Sequence, residues 1–444
     1  MSTPLLVSDT GFAGNLKNYY TRFREDLFPV LDRLFAQFQK IKSGGPRNMR
    51  WQGNGAYFDA VVGDPVGWHY SASGWLPDSA FRSEVQGVVG IARLYVRQQI
   101  DGLTVPATSS KQGAYVTIAQ KIDEEMRMKF RLGIQEGLHG DGTGVKAVIG
   151  TASSSTSIIV ASPYNIASSG QGALWLGIGM QIAVLDATAS FVSLGTTKIT
   201  AIARVGTTDS YTLTLSPAVS GMAANDILVS ASDNDTAYNA SINGLTNLTN
   251  RGGSYGTLHG INVATSGNAR WNTTRLTAGT DTPRADQFLE HDVWELASRV
   301  AAFSGHNALT DPSDFIIVTT TGLKKSIAES VQGQRQLSLA QTQNTLKGGY
   351  AVDVSINNIP VIDDPYCPAG TVYLLHLPSI GWVDGQELGA VSYNDSGTWR
   401  PVTDRDAYET SQSMYFNVCT TKRSAHGLIT GYVDNNRYTP VASA

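Results

Sequence analysis

Charge is scarce in this chain. Of its 444 residues only 16% are Asp, Glu, Lys or Arg, against about 25% in ordinary soluble domains. A long chain with so little charge has less solvated surface than a free monomer shows. Two readings fit: extensive contact between subunits, or a β-rich protein decorated with Thr, Ser and Asn. Cysteine is nearly absent. Cys367 and Cys419 form no CxxC, and two thiols make no disulfide framework. No apolar run approaches the roughly 18 residues of a membrane span. The opening MSTPLLVSDTGFAGNLKNYY lacks the basic start and apolar core of a secretion signal. The expectation is a chain made and folded in a reducing cytoplasm, where sequons such as Asn247-Leu248-Thr249 carry no glycan.

Catalytic spacings are missing too. There is no GxSxG, no HExxH and no metal-spaced His/Cys cluster. The seven histidines, at 69, 139, 259, 291, 306, 376 and 426, lie singly and read as structural. Glu290-His291-Asp292 falls on a helix, where consecutive side chains point apart. Asp233-Asn234-Asp235 opens like a calcium loop, but position twelve is Gly244 where the loop needs Glu. Asp363-Asp364 is the remaining candidate for a carboxylate pair completed by folding. The expectation is no catalytic, cofactor-binding or metal residue, and no cofactor.

What is present begins with charge distribution. The net charge is −4, yet residues 1–50 hold eight Lys/Arg and four Asp/Glu, a balance of +4. A mildly basic arm on an acidic body could face nucleic acid or an acidic partner, although a solvated helix face explains it as well. Leu16, Tyr20, Phe23, Leu27, Leu31, Leu34, Phe38 and Ile41 recur at spacings of three and four, one apolar helical stripe. Pro29 kinks or splits it, and Ser43-Gly44-Gly45-Pro46 ends it. Residues 49–100 are rich in Gly, Trp and Tyr with short extended runs, which predicts a long hairpin excursion. So many aromatics on an excursion want a partner surface.

Ile118, Ile122, Met126, Phe130, Ile134 and Leu138 repeat every four residues and predict a helix from about Lys111 to Leu138. GLHGDGTGVK follows it. Its glycines, at 137, 140, 142 and 144, fit neither GxxxxGK[ST] nor GxGxxG. A phosphate loop also follows a strand and opens a helix, whereas this stretch does the reverse. It reads as a helix stop with Gly140 left-handed, then a tight Asp141-Gly142 turn.

Residues 155–232 carry no helical period. GMQIAVLD, TKITAIARV, YTLTLS and DILVSA predict a small β domain inserted as a block. Glycine-rich ASINGLTNLTNRGGSYGTLHGIN follows. A helix is then expected with Thr282 capping, Pro283 at its first position, and Gly305 as its stop. DFIIVTT reads as a buried strand, TGLKKSIAESV as a short helix, and GGYAVDVSINNIPVIDDP with GTVYLLHL as further strands. SQSMYFNVCTTKRSAHGLITGYV reads as two strands joined by a basic turn, Lys422-Arg423.

The order of these parts, with IAQKIDEEMRMKFRLGIQEGLHGDGTG, INGLTNLTN, and DRDAYET leading to RSAHGLITGYV, resembles the major capsid proteins of tailed bacteriophages, the Hong Kong 97 (HK-97) fold. The resemblance spans almost the whole chain. It implies an α+β fold with an inserted β domain: an N-terminal helical arm at 1–48, an E-loop excursion at 49–100, a peripheral domain with its spine helix at 101–152, the β insert at 153–232, an axial domain at 233–395, and peripheral strands at 396–444. It further implies a structural protein, not an enzyme, that builds pentamers and hexamers of an icosahedral shell around packaged dsDNA, contacted weakly at the inner surface. Scaffolding and portal proteins are the implied partners, with a decoration protein as a further one, no membrane, and a place in the virion after assembly in the bacterial host cytoplasm. The alternatives are an encapsulin-like compartment shell, which the β insert, long arm and length oppose, and a cytoplasmic enzyme or glycan-binding protein with a β module.

Some members of that family lock their shells with isopeptide bonds from an E-loop lysine. Between Lys42 and Lys111 this chain has no lysine, only arginines such as Arg50, Arg82 and Arg93, and a guanidinium stays protonated and is a poor nucleophile. A shell of this chain is therefore expected to be held without covalent links. Boiled in detergent and reductant, it should run as a single band at monomer mass; a ladder of covalent dimers, pentamers and hexamers would contradict this.

Overall fold

The computed structural model describes residues 34, 37–40, 50–52, 55–62, 70, 75, 84–101, 118–164, 172–205, 210–232, 236–249, 256–265, 268–332, 355–390, 400–403 and 405–433. They form two compact units. One contains Ala92–Glu136 and Asp384–Phe416; the other contains Arg33–Ile91, Gly137–Val383 and Asn417–Ala444.

In the first unit, strand Ala92–Asp101 runs antiparallel to Ala407–Phe416. Period-two alternation leaves Arg93, Tyr95, Arg97 and Gln99 exposed on one face. Helix α1, Ile118–His139, lies against the other face. There, a Cβ on Gly133 would stand 3.2 Å from the Leu94 methyls, and Gln98 Nε2 donates to Glu125 Oε2 at 3.1 Å. On the exposed face Arg97 donates to Glu409, with Nε 2.8 Å from Oε2, and the Tyr95 and Tyr415 hydroxyls lie 3.0 Å apart. The expected stripe of α1 is buried at Met126, Phe130, Ile134 and Leu138. The helix begins at Ile118; residues 111–117 lie outside the described ones.

Among its described residues the second unit holds a barrel, a six-stranded sheet and a three-stranded sheet, besides the two-stranded ribbon of Thr257–Leu258 with Ile261–Asn262. The first is a closed six-stranded barrel in the order Tyr211–Ser216, Ser157–Ser162, Val145–Ser154, Ile227–Ser230, Gln181–Asp186 and Val192–Arg204. Ile149, Ile158, Val160, Ile182, Val184, Ile199 and Leu213 fill it. Closure removes the exposed edges that an open sheet of short strands would present. The barrel differs from the expected block at 153–232 in two ways. Its first strand begins at Val145, directly after the glycine corner. It also falls in the same compact unit as the α+β body, because aromatic side chains tie the two together.

The second assembly is a six-stranded mixed sheet in the order Thr274–Thr277, Gly427–Thr430, Val372–His376, Phe315–Thr319, Ile359–Asp363 and Ser355–Ile356. Phe315–Thr319 and Val372–His376 are buried along their whole length, as the continuous apolar runs required. Asn357 and Asn358, with φ of 49° and 64°, turn the hairpin between the last two strands. The third assembly is the base of the excursion. Arg50–Gln52, Gly55–Val61 and Glu84–Gly90 form an antiparallel sheet. Its Phe58 does not wait for a partner molecule: it packs against Trp271, Ile261, Val383 and Cys419 of the same unit. Tyr70 and Trp75, farther out, are 97% and 78% exposed.

Most of the apolar stripe from Leu16 to Ile41 lies outside the described residues. Its C-terminal part is corrected: Gln39–Lys40 is a strand, pairing in parallel with Gly381–Trp382, where an edge of open backbone outbids helix propensity. The helix expected from Pro283 is also shorter. After helix α2, Leu245–Leu248, comes α3, Glu290–Ser304. Thr282 is instead buried in a turn and accepts from the Gly279 amide at 3.2 Å. The N-cap of α3 is Leu289, whose amide donates to Oδ2 of Asp292, three residues on, at 3.0 Å. Gly305 is the left-handed stop, φ 74°. Helix α4 is Thr321–Gln332.

The glycine corner is a turn with a different glycine in charge. Gly142 and Gly144 take positive φ, 85° and 76°, and Gly140 does not. The Asp141 carboxylate supplies the turn by accepting from the Thr143 amide at 2.9 Å and from the Thr143 hydroxyl, so the left-handed residue falls after Asp141. The tightest contact comes from a fifth glycine, Gly244. A Cβ there would stand 2.2 Å from Gly137 O, 2.4 Å from Gly140 O and 2.7 Å from Leu138 O. The start of α2 thus lies on the last carbonyls of α1, and Thr246 Oγ1 donates to His139 O at 2.7 Å. Gly244→Ala should cost about 1–3 kcal/mol or more, read as a lowered denaturant midpoint. Gly90→Ala, with open space around its Cβ position, should be near neutral. Equal effects would contradict the close approach.

Candidate functional site

The polar groups with the most elaborate settings are at the end of the strand Ala407–Thr420. Lys422-Arg423 does link two strands, as expected, but not as neighbours in one sheet. The strands on either side enter different sheets, and Arg423 is fully buried. Its Nη2 donates to Asn247 O at 2.7 Å and its Nε to Leu248 O at 3.0 Å, with Nη1 3.5 Å from Gly256 O. The guanidinium therefore closes the C-terminus of α2, where carbonyls have no intrahelical partner. Burial pulls its pKa down to about 10, so it stays charged at neutral pH. Thr273 Oγ1 lies 3.3 Å from both Leu248 O and Arg423 O. Lys422 performs the same task on α3: its Nζ donates to Ser304 O at 2.6 Å, a cation at the negative end of a helix. Burial lowers its pKa.

The histidines expected to be scattered singly are not. His306 and His376 stack with ring centroids 4.4 Å apart, and Phe315 lies 4.9 Å from His376. His426 Nδ1 accepts from the His376 amide at 3.2 Å. His259 Nε2 accepts from the Thr420 amide at 3.3 Å. Topology brings these residues together from four segments, which no local spacing could signal. His139, the last residue of α1, is separate from them, with Nε2 2.8 Å from Asp364 Oδ2. His291 is exposed, and residue 69 lies outside the described ones.

The candidate carboxylate pair is split. Asp363 Oδ1 takes Lys324 Nζ at 2.8 Å, whereas Asp364 faces His139 and accepts from the Tyr366 amide at 2.9 Å. Side chains of adjacent strand residues point to opposite faces, so these two were poorly placed to converge. Glu290, His291 and Asp292 diverge: Glu290 accepts from Trp294 Nε1 at 3.2 Å, and Asp292 accepts from the Tyr432 hydroxyl at 2.7 Å. Burial and that carboxylate raise the Tyr432 pKa. Residues 233–235 lie outside the described ones. Among the described residues no cluster of His, Cys, Asp or Glu could hold a metal ion, and no helix is long and apolar enough to cross a membrane.

An aromatic cluster anchors the barrel. Trp175 stacks on Tyr366 at 5.0 Å, Tyr164 meets Trp175 edge-on at 5.8 Å, and the Tyr164 hydroxyl donates to Tyr366 O at 3.0 Å. These settings satisfy buried backbone and lock segments together. No described hydroxyl or thiol stands beside an imidazole with an open face for substrate: Cys367 and Cys419 are fully buried, and the hydroxyls beside His426 are enclosed.

The caps make a graded prediction. Arg423→Met removes the guanidinium's charge-assisted bonds to the Asn247 and Leu248 carbonyls and should lower stability by about 2–3 kcal/mol. Lys422→Met should cost no more than about 1 kcal/mol. Denaturant unfolding of both variants measures this; similar losses would contradict the buried seat of Arg423.

No family model matches the sequence, and no curated protein matches it. The fold does have solved relatives. A chain of the cyanophage A-1(L) capsid asymmetric unit superposes with TM-score 0.55 at 12% identity, covering 92% of this chain and 95% of that one. More distant are the capsid of Myoviridae phage XM1, with TM-score 0.42, 8% identity, and 92% and 94% covered, and the capsid of the native GTA particle, with TM-score 0.41, 10% identity, and 93% and 95% covered. The likeness is one of fold: an α+β phage-capsid architecture of the HK-97 type.

Proposed function

We propose that this chain is the major structural protein of a tailed-phage capsid. The observation that carries the reading is the end-to-end correspondence with one capsid chain, 92% of this chain against 95% of that one. A shared fragment would be compatible with many functions; a likeness over nearly the full length of both chains is best accounted for by a shared task. Two features of the chain agree. Charged residues are few, at 16%, which suits broad contacts between copies. Trp75 and Tyr70 are exposed on the excursion, and large exposed aromatics mark interaction surfaces.

On this reading residues 1–48 are the arm, 49–100 the E-loop and 101–152 the spine region. Residues 233–395 supply the axial domain, joined by the strand Gly427–Thr430, which pairs within its six-stranded sheet; the strands of 396–444 before it are the remaining peripheral ones, and the barrel, as the insert, decorates the shell. Copies assemble as pentamers and hexamers into a closed icosahedral shell around dsDNA. Assembly takes place in the bacterial cytoplasm with scaffolding and portal proteins, and a decoration protein is a further partner. The chain serves as architecture and carries out no catalysis.

Expressed alone, the full chain should sediment as shells, rings or capsomers of megadalton scale, visible by negative stain. A small defined oligomer that binds a substrate in a cleft would contradict the proposal and favour the enzyme or glycan-binding alternative.

A further inference from the structure

Thr420 ends its strand between two imidazoles. Its amide donates to His259 Nε2 at 3.3 Å, and its Oγ1 lies 2.8 Å from His426 Nε2. The other nitrogen of His426, Nδ1, accepts from the His376 amide at 3.2 Å. A backbone N–H aimed at a ring nitrogen requires that nitrogen to be bare. His426 therefore carries its single proton on Nε2 and gives it to Thr420 Oγ1, with Ser379 Oγ 3.4 Å away. His259 carries its proton on Nδ1. Neither ring has a place for a second proton, because that proton would meet an amide hydrogen.

The surroundings oppose a second charge as well. His426 is fully buried, and His259 is 6% exposed. Arg423 bears on both rings. His376 adjoins His426 and stacks on the half-buried His306. Around His306 lie Lys422, which opposes its protonation, and Asp314 and Asp311, which favour it. Phe58 packs edge-on to His259 at 5.8 Å, and Phe315 packs on His376.

We propose that the connection from Thr420 to His426 is an acid-sensitive latch, closed only while His259 and His426 are both uncharged. Opening it frees the Thr420 and His376 amides and unseats the segment that carries Lys422 and Arg423, the caps of α3 and α2. The latch therefore couples acidity to two helix ends and to the joint between two sheets.

The sign follows from linkage. Burial, then the neighbouring positive charges, push both histidines down to about 3, against about 6.5 in an unfolded or opened segment. Their contribution is complete above pH ~6.5 and is lost as pH falls toward ~3. Each pH unit below ~6.5 multiplies the opening equilibrium about tenfold per histidine. At pH ~4.5 the factor is about 100 for one histidine and about 10,000 for both.

Hydrogen exchange on the full chain at pH ~7 and pH ~4.5, corrected for intrinsic rates, tests this. Peptides spanning 418–428, and the amide of His376, should lose protection at least about 100-fold at the lower pH, while the strand Phe315–Thr319 keeps its protection. In His259→Gln/His426→Gln, whose amides can accept and donate without titrating, the loss should vanish. Protection independent of pH would overturn the latch, as would an unchanged pH dependence in the double variant. If that variant does not fold, the wild-type profile decides: loss confined to the latch supports the proposal, and uniform loss across the sheet, which is global acid unfolding, overturns it.

Discussion

Three helices have C-terminal carbonyls that are met by residues from elsewhere in the chain. A helix terminus leaves four carbonyls without intrahelical partners, and burying them unpaired is costly. Here a carbonyl of α1 is taken by the hydroxyl of Thr246 while Gly244 packs closely on the carbonyls beside it, α2 is closed by the guanidinium of Arg423, and α3 by Gly305 and the ammonium of Lys422. The caps come from far along the chain. The end of α2 at Leu248 is closed by a residue 175 positions later, and the end of α3 at Ser304 by one 118 positions later. The same two residues follow the strand Ala407–Thr420 and precede the strand Gly427–Thr430, so satisfying the helix ends also fixes where the chain passes from one sheet to another. The close approach of α2 to α1 excludes a side chain at Gly244, and the barrel begins immediately after the corner that this approach creates.

Much of the architecture was legible because it is periodic. The four-residue repeat from Met126 to Leu138, the apolar run Phe315–Thr319 and the strand-rich stretch before Ser232 are burial patterns, and burial follows sequence period closely. The order of those parts also carried the resemblance to a capsid fold. Boundaries and polar roles were harder. Pro283 suggested a helix start, but the N-cap is Leu289, whose amide donates to Asp292. Gly140 suggested the left-handed residue, but Asp141 accepts from Thr143 and moves that role to Gly142. Lys422-Arg423 read only as a basic turn, because nothing within ten residues tells that it meets carbonyls of residues 247, 248 and 304. The histidine cluster was invisible for the same reason: its members come from segments separated by up to 167 positions, as His259 and His426 are. The barrel's attachment rests on Tyr164, Trp175 and Tyr366, which as isolated aromatics in loops give no hint of one another.

The polar machinery of the second unit is thus inward-facing, and the large apolar groups that remain outside include Tyr70 and Trp75. That division suits a protein whose function is to be a rigid part. Its conformation is held by buried caps and aromatic stacks, and its surface is completed by other molecules, which on the reading argued above are copies of itself.

A cryo-EM reconstruction of particles assembled from the full-length chain tests that account most directly. Such particles should show five-fold and six-fold capsomers in a closed shell, with Trp75 and Tyr70 covered by a neighbouring copy and Arg423 still seated on the end of α2. Particles in which Trp75 and Tyr70 stay in solvent, or in which the copies meet through an opened barrel, would contradict it.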